Sequence, residues 1–225
     1  MKKRVMIFVL MATGFLTASA QTKGIGVFLR GGYTYAPGAK KILAQIAPYE
    51  ISGFTSNFTL LGLEGYYRTN KWIMGLEGTA GTQADYSKDQ YHAHPYIGAA
   101  HFRLGSILYE GKQWWLYPSA GAGASVTTLS VNEKLVNKSG KIMNLNLYSP
   151  SFDLGINADL LASKESRQQK KAGGLIIGFR AGYRFSPESD NWKDDKGNKI
   201  LNLPSYRNNA FYITLIAAGG YFINK

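Results

Sequence analysis

Along most of the chain the side chains alternate in character with a period of two. Ile25, Val27, Leu29, Gly31, Tyr33 and Tyr35 share one face; Gly26, Phe28, Arg30, Gly32 and Thr34 share the other. Such alternation predicts a strand with two unlike faces. The pattern recurs over 61–68, 72–80, 96–104, 114–125, 152–160, 175–185 and 211–221, giving eight strands in all. Pro118 interrupts the fifth, because proline cannot donate to a ladder. No helical pattern separates the strands, which predicts an antiparallel meander. Most are long enough to cross a bilayer at a tilt, which takes roughly 9–11 residues. The expected fold class is all-β: an eight-stranded antiparallel up-and-down transmembrane β-barrel.

The predicted connections alternate in length. Residues 36–53, 127–149 and 186–209 are long, 82–90 and 162–173 are medium, and Thr69-Asn70 and Glu110-Gly111-Lys112 are short. Short turns at one end and long loops at the other are the layout of outer-membrane barrels, with the termini on the periplasmic side. The two short turns would pair Arg68 with Lys71, and Tyr109 with Gln113. The second pairing places His101 opposite Gly121, with Ser119 one diagonal away. Both registers keep the polar faces of neighbouring strands on one side of the sheet.

The apolar faces hold no charged residue; Arg or Lys there would cost about 2–4 kcal/mol at the bilayer midplane. Aromatic residues gather near strand ends on these faces: Tyr67, Trp72, Trp114 and Tyr221 at the short-turn end, Tyr35, Tyr96, Tyr183, Phe185 and Phe211 at the other. Two girdles at two membrane interfaces are expected from this. A soluble lipocalin-type barrel would invert the pattern. The polar faces carry Arg30, Arg103, Arg180 and Arg184 against Glu64, Glu77, Asp153 and Asp159, with His101. A narrow barrel is filled by side chains, and the arginine fork meets carboxylates bidentately. The set predicts a structural ion-pair plug, since buried charges need partners whatever the function. A selectivity element or proton-linked gate is the functional alternative.

Composition narrows the class. The chain has 225 residues and no Cys, which excludes disulfides, thiolate metal sites and a Cys-linked lipid anchor. A mean hydropathy of −0.18 argues against a polytopic helical membrane protein. Lys2-Lys3-Arg4, the apolar run Val5 to Leu16 and Ala18-Ser19-Ala20 predict a cleaved signal peptide over 1–20, followed by a barrel domain over 21–225. Export makes nucleic acid an unexpected partner of this +12 chain. Sorted by topology, the luminal charges cancel, and the excess collects at the short-turn side. There Lys23, Arg68, Lys71, Lys112, Lys164, Arg167, Lys170, Lys171 and Lys225 face only Glu110 and Glu165. A basic periplasmic rim of this kind would meet anionic lipid or cell-wall groups.

Candidate chemistry is sparse. His92 and His94 share a face but lack further metal ligands, and neither a metal nor a cofactor is expected. His101, Ser119, Ser125 and Asp153 point inward, so a Ser-His-Asp set is conceivable, but only geometry defines a triad. Asp190, Asp194 and Asp195 lack calcium-loop spacing. Asn137-Lys138-Ser139 matches a sequon of little weight in a bacterial-type export context. Gly24-Ile25-Gly26 precedes no helix and is no dinucleotide site.

On these patterns the mature chain resembles the small eight-stranded outer-membrane barrels of Gram-negative bacteria, the OmpX, OmpA-barrel and OmpW-like group. Gly178-Phe-Arg-Ala-Gly-Tyr-Arg-Phe185, Pro187, Trp192 and Asn209-Ala-Phe-Tyr-Ile213 resemble the final hairpin of uncharacterised Bacteroidota barrels. The resemblance implies outer-membrane location and insertion by the barrel-assembly machinery, which prefers a C-terminal aromatic residue; here Phe222 is followed by Ile223-Asn224-Lys225. Barrel-type lipid-A deacylases use a His-x-Ser pair, where this chain has His101-Phe102-Arg103. The expected function is a non-enzymatic barrel with a plugged lumen, serving membrane integrity or surface interaction through its long loops. A lipid-modifying enzyme and a narrow solute channel are the alternatives.

Overall fold

The computed structural model describes residues 22–48, 51–88, 90–111, 113–135, 138–162 and 171–224. The segment read as a signal peptide lies outside them. Eight long strands carry the fold: β1 (Thr22–Tyr35), β2 (Asn57–Thr69), β3 (Trp72–Thr82), β4 (Tyr91–Ser106), β5 (Trp114–Leu135), β6 (Lys138–Leu161), β7 (Lys171–Phe185) and β8 (Ala210–Asn224). Each pairs antiparallel with the next, and β8 returns to β1 in continuous register from Thr22↔Asn224 to Tyr35↔Phe211. Closure leaves the membrane-spanning sheet with no edge, so its backbone groups are satisfied internally, as hydrocarbon requires. No helix among the described residues is long and apolar enough to cross a membrane; the strands do the crossing.

Burial is inside-out. On β1, Val27 and Leu29 are 64% and 67% exposed, while Phe28 and Arg30 between them are 0% and 3% exposed. The same inversion runs round the barrel, through Leu61 and Leu63, Leu76, Phe102, Leu154 and Ile156, and Ile213 and Leu215, all exposed. Tyr67, Trp72, Trp114 and Tyr221 are exposed near the short-turn end, and Tyr35, Tyr96, Phe185 and Phe211 near the other. Tyr183 is partly exposed and packs on Phe211 with ring centroids 4.4 Å apart.

Both short-turn registers differ from expectation by one step of the ladder. The first turn is Asn70-Lys71, flanked by Thr69↔Trp72. Asn70 takes a φ of 52°, a conformation its short polar side chain tolerates. In the second, Tyr109–Glu110 folds back on Leu116 and Trp115, which lengthens the connection. His101 therefore faces Gly123, and Gly121 faces Arg103. Both shifts are even in parity, so inward residues stay inward.

The long connections depart further. Residues 127–135 and 138–149 form no loop: β5 and β6 stay paired as far as Leu135 and Lys138. Inward-pointing Leu129, Val131, Leu145 and Leu147 are buried there, which makes continued pairing favourable. The connection 36–53 holds a helix, α1 (Ala39–Ile46), burying Ala39, Ile42, Leu43 and Ile46. That spacing is one helical stripe. Tyr86–Lys88 adds to β4, and Trp192–Lys193 adds to β6 at Leu147 and Asn146. Together these segments build an apolar cluster above the barrel, around Leu43, Phe54, Phe58, Leu129, Leu147 and Trp192. A second cluster fills the opposite end of the lumen, around Phe28, Tyr66, Trp115, Ile176, Ile216 and Phe222.

Candidate functional site

Between the two apolar clusters lies a layer of charge. It follows from the pleat: alternate residues of every strand point inward, and in mid-barrel these are Arg30, Glu64, Glu77, His101, Arg103, Asp153, Asp159, Arg180 and Arg184, all buried. Arg30 Nη1 pairs with Glu77 and lies 3.5 Å from Glu64 Oε2. Arg103 Nη1 donates to Glu77 Oε2 at 3.0 Å, and its Nε lies 3.4 Å from Asp153 Oδ1. Arg180 bridges Glu64, at 3.3 Å, and Asp159. Arg184 reaches across the lumen to Thr79 Oγ1 at 3.4 Å and lies over the Tyr212 ring. Tyr212 in turn donates its hydroxyl to Asp153 at 3.0 Å. Each cation is thus held by groups on several strands, which cross-links the ring from within.

Glycines allow close approach of backbone at one position and of a carboxylate at another. Gly123 faces His101, and a Cβ there would lie 1.9 Å from the Ala100 carbonyl oxygen. At Gly178 a Cβ would lie 2.5 Å from Asp159 Oδ1, the atom that holds Arg180. A cavity of about 10 Å³ below the charges touches Glu64, Tyr66 and Arg103, which is room for one water.

The histidine has partners other than those considered from sequence. His101 Nδ1 lies 3.2 Å from Glu77 Oε1, and Nε2 lies 2.8 Å from Ser151 Oγ. With the carboxylate accepting from Nδ1–H, the neutral ring accepts the serine proton at Nε2. The chain is Ser151–His101–Glu77, not Ser119–His101–Asp153. Ser119 instead accepts from Arg103 at 2.6 Å and from Asn157 at 2.9 Å. Glu77 also serves Arg30 and Arg103.

Arg68, counted from sequence with the basic short-turn rim, is buried at the lower mouth of the lumen. It donates to Glu110 Oε1 at 2.7 Å and to the Asn70 carbonyl at 3.2 Å, and lies 5.1 Å from the Trp115 ring centre. Its position on the polar face of β2 is the signal that places it inside. Lys112, Lys164, Arg167, Lys170 and Lys225 of the same predicted rim lie outside the described residues. On the surface, His94 Nδ1 pairs with Asp85 at 2.6 Å, and no metal-binding cluster occurs among the described residues. Asp190 pairs with Lys199, Asp194 accepts from Asn198, and Asp195 accepts from Asn144. The three form loop contacts rather than one site. Gly24 to Gly26 lie within β1, and Asn137 of the sequon is outside the described residues.

A closed eight-stranded sheet with a charged interior, an apolar exterior and two aromatic girdles is an integral outer-membrane β-barrel. No known family profile matches the chain, and no curated protein matches its sequence. Among solved structures it is similar to Ail, the attachment invasion locus protein of Yersinia pestis, in complex with the heparin analogue sucrose octasulfate. That match has 12% identity over 90% of this chain and 99% of the other, with a TM-score of 0.44. It is also similar to neisserial surface protein A, at 11% identity over 90% and 97% with a TM-score of 0.38. The outer-membrane protease OmpT from Escherichia coli matches at 8% identity over 93% and 99%, with a TM-score of 0.31. The class rests on the chain's own strand pairing and burial.

Proposed function

We propose that the protein is a non-enzymatic outer-membrane barrel with an occluded lumen, serving membrane integrity and presenting a rigid outer surface. One observation carries this reading: the lumen is stacked with an apolar cluster, a cross-linked charge layer and a second apolar cluster. An ion entering it would have to displace buried arginine–carboxylate pairs, which costs several kcal/mol per uncompensated charge. Planar-bilayer recording of the purified barrel is expected to show no steady conductance; a stable open level would overturn the occluded lumen.

Among the described residues, the Ser151–His101–Glu77 chain is the feature that favours a hydrolytic, lipid-modifying role. It faces the lumen and not the lipid, and Glu77 is committed to two arginines, which supports a structural part. Mass spectrometry of envelope lipids is expected to show the same profile in cells carrying Ser151→Ala as in wild type; a shift in acylation would favour the enzyme. Contact with barrel-assembly machinery, and a basic periplasmic rim facing anionic groups, complete the proposal. Labelling of Lys112→Cys and Gln168→Cys from outside intact cells would overturn the orientation.

A further inference from the structure

Directly above the outer girdle, α1 and the connection from β7 to β8 flank an open cleft of about 590 Å³. We propose that this cleft binds the anionic saccharide head group of an outer-leaflet glycolipid, a reading that rests on the outer-membrane location. Its floor reaches Tyr183, whose ring belongs to the lipid-facing girdle and packs on Phe211. The cleft therefore opens at the depth where lipid head groups lie, with the apolar belt of Tyr35, Phe211 and Ile213 below it for acyl chains.

The two walls are chemically unlike an apolar pocket. On α1, Lys41 and Gln45 are exposed four residues apart, on one side of the helix, while the stripe Ala39, Leu43 and Ile46 anchors it to the outer cluster. The opposite wall carries an exposed ion pair. Arg207 donates from Nε and Nη2 to Glu188 Oε2 at 3.1 and 2.9 Å, and Ser205 donates to the other carboxylate oxygen. Asn209 accepts from the Ser186 backbone N–H at 3.0 Å through Oδ1, which leaves its amide N–H groups to donate elsewhere. Tyr206 lines the cleft with its ring, which passes where a Cβ on Gly38 would come within 2.8 Å, and packs into the outer apolar cluster.

Donors and acceptors thus alternate around a concave surface with aromatic and proline patches. Sugar hydroxyls both donate and accept, and match this set where an apolar ligand would leave it unpaired. Lys41 and Arg207 against Glu188 leave one positive charge, which favours an anionic, phosphate-bearing saccharide. Saccharide on a lipid is selected over free saccharide because only the former gains from the apolar belt beneath.

The test uses the full barrel in phosphatidylcholine nanodiscs with or without lipopolysaccharide, released for native mass spectrometry. Wild type is expected to retain one glycolipid. Lys41→Ala with Gln45→Leu, both exposed helix positions, is expected to weaken retention about tenfold, or roughly 1.4 kcal/mol. Lys199→Ala, elsewhere on the same outer loop, is expected to leave it unchanged. Equal retention by the cleft variant, or none by wild type, would overturn the site. The deacylated oligosaccharide is expected to bind far more weakly; equal binding would overturn the lipid source. Neither result bears on conductance, so this proposal and the occluded lumen fail separately.

Discussion

At the scale of single residues, Arg180 shows how a charge is kept inside a membrane protein. It is fully buried, contacts Glu64 and Asp159 from two other strands, and lies 5.4 Å from the centre of the Tyr117 ring and 5.6 Å from that of Phe28. Its value lies less in attraction than in what its removal would leave: a buried Asp159 that loses its arginine, and a Glu64 that keeps only Arg30 and Arg103, at 3.5 and 3.7 Å. Arg180→Ala is expected to destabilise the barrel by about 3–5 kcal/mol, measured as the shift in urea midpoint in detergent micelles. Gly178 belongs to the same argument, because any side chain there displaces the Asp159 carboxylate. The alternation of β7 shows that Arg180 points inward. It does not show which carboxylates meet it: Glu64 comes from β2 across the lumen, and Asp159 from the neighbouring β6, whose offset against β7 a period of two leaves open.

At the scale of elements, the outer cluster is where sequence reading and structure part. The stripe of α1 and the alternation at Leu129, Val131, Leu145 and Leu147 are present in the sequence, yet each run is short and flanked by polar residues. Neither stabilises an isolated element; each gains by packing on the others. Trp192 ties them together. It is fully buried, its strand pairs with β6, and its indole N–H donates to the Pro204 carbonyl at 2.9 Å. Trp192→Ala is expected to cost the outer cluster about 3–5 kcal/mol. Limited proteolysis should then cut at Lys193 or Lys199 while the membrane-spanning strands stay protected. The nearby Glu188 carboxyl responds to pH. Hydrogen bonds from Ser205 and Arg207, with the charge of Arg207, hold it below its ordinary value of 4.5. A carboxyl lowered by folding contributes above its unfolded value and loses that contribution as pH falls through the folded one. Amide exchange at Ser205–Arg207 is therefore expected to rise as pH drops below about 4.5, once corrected for the intrinsic rate. Glu188→Gln should already exchange fast at neutral pH.

At the scale of the whole molecule, the barrel is stable in lipid because it reverses the soluble rule. Leu63 is 60% exposed on the lipid face, and Glu64 beside it is 6% exposed. Leu63→Arg is expected to cost about 2–4 kcal/mol if the residue lies near the bilayer midplane, read as reduced folding yield into vesicles. The same substitution in a soluble barrel of this shape would be close to neutral. The closed ring, its polar layer and its apolar ends also explain the unremarkable mean hydropathy: inward and outward faces average out along each strand.

By itself the sequence determined the number of membrane strands, their antiparallel order, which face meets lipid and which mid-strand charges point inward. All four follow from a local period of two, repeated over segments long enough to leave no other phase. Tertiary structure alone decided the ladder offsets at both short turns, the extension of β5 and β6 above the membrane, the helix in the first long connection and the partners of each buried ion. Those depend on contacts between strands far apart in sequence, and a shift by one ladder step preserves the parity that a sequence reveals while exchanging every partner across the lumen.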